Sequence, residues 1–352
     1  MIQTKLYIPI ENLNVESKIK IGKATIYPTD QVQSLIKRLK VITDKAKNTK
    51  KQKRKLIDWQ EKDLNLHFGK YAFIEIQRQI NKQDDLIPKD LTLIYEQIKE
   101  VLAVLYLLQK QIAGVCSIET QKFGLSKELN RSLNFLISIQ GNKKSSYSFH
   151  REGVLADWTF VNREINKFST NAVYCYFSKV LKKDVKSEIE NRLISSVVWL
   201  YDAIMDFNPS NRFVKLAISL EVLFASGKDK KSFRLSRFST LLSHLYMFKN
   251  WKCLCPILES HSTKEYIVNI KKLKHPGICS AYWDLRKWYK IRSNIVHDAV
   301  RVIDKKELTS FEWWTHKLII ATIEVISKEK VSTLDELEFF LENKYRAYKA
   351  TW

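Results

Sequence analysis

Arg292 and His297 stand in an R-x4-H spacing, with the polar residues Ser293 and Asn294 directly after the arginine. Histidine is the side chain best suited to moving protons near neutral pH. Arginine presents a planar fork that matches two oxygens of a phosphate. RNA carries its own nucleophile, the ribose 2′-OH, so one base and one cation on the phosphate suffice to cleave it. The products are a 2′,3′-cyclic phosphate and a 5′-hydroxyl, and DNA, which lacks the 2′-OH, is not a substrate. The spacing by itself decides little. In a chain with 14 arginines and 7 histidines a match with a gap of four to six is expected by chance, and a second one occurs, Arg237 with His244. That second pair reads as surface residues of an amphipathic helix.

Context separates the two. The run KIRSNIVHD (290–298), preceded by one helical pattern and followed by a long apolar one, resembles the signature of HEPN domains. It is most similar to the Apea-like branch, which tends to carry Arg-Ser-x-Ile-x-His. Upstream, AISLEVLFASGKDKKSFRLSRFSTLL (217–242) resembles the same branch: a Leu-Glu-x-Leu-Phe helix, a short basic loop and a second helix. The resemblance covers about residues 185 to 345 and does not reach the N-terminal half.

That resemblance implies a helical bundle that dimerises and sets two Arg/His pairs in one composite cleft. It implies cleavage of single-stranded RNA or tRNA without a metal or other cofactor. His297 is then the general acid/base and Arg292 the clamp on the phosphate. The supporting hydrogen-bonder is Ser293 or Asn294, because many relatives place Asn, Asp or His directly after the Arg and here Asn comes one residue later. The Gly common after the His is Asp298 here. The basic residues around the motif, Arg286, Lys287, Lys290 and Arg301, are candidates to contact the RNA backbone. Relatives of this kind commonly serve as toxins or anti-phage effectors, so a phage component or small molecule is an expected trigger.

Other residues near the motif have plainer readings. Glu221 interrupts an apolar helical run, and a buried carboxylate is costly without a partner. It is either salt-bridged to a basic residue, Arg292 among them, or it occupies an exposed helix position, which is the simpler reading. Trp283, Trp288, Tyr289, Trp313 and Trp314 could stack unpaired bases, but at helical spacing they read first as core or interface. His316 reads as outside the cleft. No Walker-type loop, paired GxGxxG, HExxH or G-x-S-x-G is present, so nucleotide hydrolysis, zinc proteolysis and serine-hydrolase chemistry have no support in the sequence.

The charge fits a polyanionic partner. Lys and Arg number 60 against 38 Asp and Glu, a net charge of +22, and both halves of the chain are basic. Five cysteines argue against a disulfide framework, and the C-x-C at Cys253 and Cys255 has no second pair at metal-ligand spacing. The N-terminus lacks a signal-peptide pattern and no apolar run approaches a membrane span, so the expectation is a cytoplasmic protein with no membrane contact.

The elements that must position the motif divide in two. Residues 1–165 read as a basic α+β domain that serves as sensor or RNA-recognition module. Strands are expected where Leu6, Ile8 and Ile10 alternate, at 19–21 and 24–26, at 71–76, at 133–139 and at 154–160. A helix is expected after the cap Asp30, and another over 90–113. The Lys-rich 45–55 reads first as a solvated face or mobile loop and otherwise as a phosphate-contacting patch, and GNKKSSYS (141–148) as a loop. Residues 166–352 read as an all-α, HEPN-like antiparallel bundle. Its helices are expected over 187–206, 211–225 with an Asn cap after Pro209, 232–248, 263–273, 279–297, 306–328 and 333–345, the last behind a Thr333/Glu336 capping box. A continuous helix separates residues five apart by about 140°. Arg292 and His297 therefore need a helix end near Asn294, the long arginine side chain or a dimer partner to converge.

Overall fold

The computed structural model describes residues 2–10, 13–15, 17–28, 31, 72–80, 88–113, 133–140, 143–150, 161–162, 171–225, 231–247, 279–298 and 302–350. The expected helices after Asp30 and over 263–273, the strand over 154–160, the basic run 45–55 and the Cys253/Cys255 pair lie outside them. The chain divides into two compact units, Met1–Lys182 and Lys183–Trp352.

The first unit is built on a six-stranded antiparallel sheet in the order β3-β4-β5-β1-β6-β7. Its strands are β1 (Ile2–Ile10), β3 (Ile19–Ile21), β4 (Ala24–Tyr27), β5 (Ala72–Ile80), β6 (Leu133–Gln140) and β7 (Lys143–His150). β2 (Asn14–Val15) and β8 (Val161–Asn162) form a separate parallel pair. The register Ile8↔Ile74↔Ile26 puts the β-branched residues on one face. Tyr7↔Glu75↔Thr25 puts a second, also buried, set on the other. Glu75 accepts a hydrogen bond from Tyr27 Oη at 3.1 Å.

The stretch expected as a loop at 141–148 is instead mostly β7, paired from Leu133↔His150 to Gln140↔Lys143. Its Lys and Ser residues suit an edge strand, where backbone hydrogen bonds to one neighbour hold the chain and polar side chains guard the open edge. Helix α1 (Pro88–Ala113) buries every residue from Val101 to Leu108.

Helix α2 (Ala172–Val180), capped by Asn171, belongs to this unit. The change of character at 165 in the sequence thus precedes the division between units, because α2 is tied to the sheet. Tyr174 Oη donates to the Lys20 carbonyl at 2.7 Å. Gly22 sits at φ +59°, where a Cβ would come within 2.6 Å of Leu181 Cβ, so only glycine fits that turn against the end of α2.

The described residues of the second unit form six α-helices and one π-helical turn. They are α3 (Glu188–Met205), α4 (Pro209–Phe224), α5 (Lys231–Leu242) continuing as a π-helical turn at Ser243–Met247, α6 (Cys279–His297), α7 (Lys305–Lys328) and α8 (Leu334–Ala350). α3 starts at a full capping box, Ser187 with Glu190. α4 is capped by Asn208, not by Asn211 as the sequence suggested. Pro209 then takes the first helical position, where its missing N–H leaves nothing unsatisfied. The expected box at α8 is present: Glu336 N–H donates to Thr333 Oγ1 and Thr333 N–H to Glu336 Oε2, each at 3.2 Å.

α3 and α4 meet across a buried hydroxyl contact in which Ser219 Oγ donates to the Ser196 carbonyl at 2.8 Å. α5 is buried on all sides from Arg234 to Ser243. Its small face, Ser236, Ser239, Thr240 and Ser243, repeats at i, i+3, i+4 and i+7. Thr240 and Ser243 satisfy their hydroxyls on carbonyls four residues back, at 2.7 and 2.6 Å.

α8 closes onto the bundle with Leu334, Leu337, Leu341 and Tyr345 on one stripe. Each such leucine contributes about 1.5–3 kcal/mol by leaving water. Beside that stripe, Arg234 pairs with Asp335 and Glu338, and Arg237 with Glu338 and Glu342. No helix of the described residues is long and apolar enough to cross a membrane.

Candidate functional site

α6 carries the motif and positions each of its residues by simple rotation. Tyr282, Leu285 and Trp288 are buried and define the inward stripe of the helix. At about 100° per residue Arg292 falls on the same stripe. His297 lies about 140° away and is exposed. The helix does not break near Asn294: the Asp298 N–H still donates to the Asn294 carbonyl at 2.8 Å. One chain therefore does not bring Arg292 and His297 together; of the two partly exposed polar residues, Ser293 lies between their faces and Asn294 about 60° beyond His297.

Arg292 is held from two sides. Its Nε faces Glu221 Oε1 of α4 at 3.4 Å, with the two side chains 21% and 10% exposed. The pair is at ion-pair distance without the alignment of a hydrogen bond. The guanidinium also lies over the Tyr289 ring, one helical turn earlier, at 5.7 Å. Among the described residues no other group bonds the arginine, so its two Nη groups keep their donors for a ligand. Glu221 is buried, not exposed, and the salt bridge to Arg292 weighed from the sequence is the arrangement found. Tyr289 was noted only as part of the aromatic cluster. A one-turn spacing from the motif arginine is the signal that could have singled it out.

The basic residues around the motif differ in their engagements. Lys287 is bonded through Nζ to Glu307 of α7, and that contact raises the lysine's affinity for its proton. Glu307 also accepts from Trp288 Nε1 at 2.7 Å. Beside them Asp284 is pushed above the ordinary carboxylate range, first by burial and then by the charge of Glu307, against the opposing pull of Lys287. Glu307 lies in the first turn of α7 behind its cap Asp304, a placement that gave no hint of its contacts with α6. Arg286 donates from Nη1 to Tyr282 Oη at 3.3 Å. Lys290 is exposed, and Arg301 lies outside the described residues.

The remaining candidates sort clearly. Arg237, expected on the surface, is 8% exposed and sealed in the ion-pair network with α8. An arginine with two carboxylates on it cannot bind a phosphate without breaking the bundle. Trp288 is core, its ring tilted against Phe311 with centroids 4.9 Å apart, and His316 is buried in α7. Trp313 and Trp314 meet edge to face at 5.2 Å and remain partly exposed. The side chains of Trp283 and His244 are not among those described. Among the described residues no group of three His, Cys, Asp or Glu gathers that could hold a metal ion. Comparison with protein-family models, with curated proteins and with solved structures finds no match.

Proposed function

We propose that this protein is a metal-independent endoribonuclease that cuts single-stranded RNA or tRNA, and that its second unit is a HEPN-like bundle acting as a homodimer. The observation that carries the reading is the contact between Glu221 and Arg292. It joins the two separate segments, 217–242 and 290–298, on which the resemblance rests. It also leaves the guanidinium oriented from its Nε edge with the Nη fork available for a phosphate. His297 stands exposed at the end of the same helix, where it can reach a strand.

In the proposed reaction neutral His297 takes the proton of the 2′-OH and the oxygen attacks the adjacent phosphorus. The P–O5′ bond breaks, and an imidazolium returns a proton to the departing 5′-oxygen. Arg292 stabilises the charge that builds on the phosphate oxygens. Since the two residues diverge by about 140° on one helix, the working pair is assembled between two copies. The basic first unit is the sensor or RNA-recognition part of an anti-phage or toxin effector.

That same divergence favours one alternative, a nucleic-acid-binding protein of the same fold that does not cut. A cleavage assay in EDTA on total tRNA and on a single-stranded RNA separates the two. Cleavage by the wild type that is lost in both Arg292→Ala and His297→Ala supports the nuclease. Binding without cleavage supports the alternative, and cleavage that survives both substitutions places the site elsewhere. A monomer by light scattering at micromolar concentration sinks the composite cleft.

A further inference from the structure

Because α6 runs unbroken to His297, its outward residues fall into register. Arg286, Lys290, Ser293 and His297 follow one another at i, i+4, i+7 and i+11. At about 100° per residue they lie within about 60° of one another, their centre turned by roughly 110–170° from Leu285 and Trp288 and bordered on one side by the buried Tyr282. Lys290 and His297 are exposed, and Arg286 and Ser293 are partly so.

The two lysines of this helix have different fates. Lys287 projects off the stripe and is neutralised by Glu307. Lys290 sits on the stripe, and among the described residues it has no carboxylate or hydrogen-bond partner. Arg286 is tethered by its Nη1 to Tyr282, which fixes where its charge sits.

We infer that this stripe is the track of the substrate strand, and that Lys290 grips a backbone phosphate beside the scissile one, where His297 takes the 2′-OH proton. The inference rests on the ribonuclease reading for the identity of the strand. Lys290 stands seven residues, about 10 Å of helix axis, from His297. The two therefore serve different nucleotides of the strand, with Arg286 one turn further along. Lysine suits this task because a backbone contact away from the reacting phosphate needs charge and reach, not a bidentate fork.

The test is binding, read without cleavage. A fluorescein-labelled single-stranded RNA 12-mer, 2′-O-methylated throughout so that it cannot be cut, is titrated by anisotropy at several NaCl concentrations. Lys290→Gln is expected to weaken binding several-fold at low salt and to shrink the slope of log K against log[salt] by about 0.7, one phosphate contact on a single strand. Lys328→Gln, an exposed substitution at the end of α7, controls for the loss of one charge from a basic protein. A Lys290→Gln slope equal to that of Lys328→Gln overturns the track, as does a wild type that does not bind. Failure of the nuclease reading shows itself separately. A protein that never cuts unmodified RNA, yet loses slope at Lys290, keeps the track and loses the chemistry.

Discussion

Arg292 and Glu221 stand 71 positions apart in the chain and face each other at 3.4 Å between α6 and α4. Each bears on the other: the carboxylate is buried in an apolar helix where a cation meets it, and the Nε edge of that cation is turned to the carboxylate. A double-mutant cycle with Glu221→Gln and Arg292→Gln should show a coupling of about 0.5–3 kcal/mol in chemical denaturation. Each single variant should lose more stability than its share of the double. Additive losses would mean that the contact is incidental.

The other motif-like arginine predicts the opposite profile. Arg237→Ala removes the partner of Glu338 and Glu342 in a buried network, and should cost about 2–4 kcal/mol. In a unit of this size that lowers Tm by roughly 5–15 °C. His297→Ala, at an exposed position, should stay within about 0.5 kcal/mol of the wild type. A stability loss at His297 equal to that at Arg237 would contradict this assignment of roles.

These contrasts mark what could be read from the sequence and what could not. The described helices of the second unit were legible because period, caps and breakers are local. Ser187, Pro209 and Thr333 with Glu336 sit at the observed ends within a residue or two. The cap at Asn208 was missed because three candidate cap residues crowd around one proline. β7 was missed because a polar edge strand is held by its neighbour's backbone, which leaves little trace in its own composition. Arg237 was placed outside because its neutralising carboxylates come about a hundred residues later. Glu221 with Arg292 was the one long-range contact that could be guessed, since an isolated carboxylate in an apolar run demands a cation.

The α3 capping box should respond to pH. Burial pushes the Glu190 carboxyl up, but hydrogen bonds from Lys183 and the Ser187 N–H, with the charge of Lys183, outweigh it and hold the group below the ordinary carboxylate range. A carboxyl with a depressed folded value stabilises the fold above its unfolded value, and that contribution is lost as pH falls through the folded one. Glu190→Gln should therefore cost about 1 kcal/mol at pH 7. Thermal melts should show the gap from wild type closing on acidification below the ordinary carboxylate range. A gap that is constant down to pH 2 would rule the ionised cap out.

Asp284 should behave in the reverse sense. Its folded carboxyl binds a proton more tightly than the unfolded one, because burial and the neighbouring Glu307 both disfavour its charge. Its ionisation destabilises the fold at pH values above that raised range, and the penalty fades as pH falls through it. Asp284→Asn should raise Tm at pH 7, with the gain shrinking towards pH 4. A lower Tm at pH 7 would show that the carboxylate is needed in its charged form.

The network that buries Arg234 and Arg237 also sets a clock on biosynthesis. Both arginines leave the ribosome about a hundred residues ahead of Asp335, Glu338 and Glu342, the groups that neutralise them. At ~5–20 residues per second the wait is about 5–20 s. Until then α5 carries two cations with no place in a closed interior, so the bundle stays open while the motif helix α6 is being made. The last helix to be made is thus the one that lets α5 take its place in the interior.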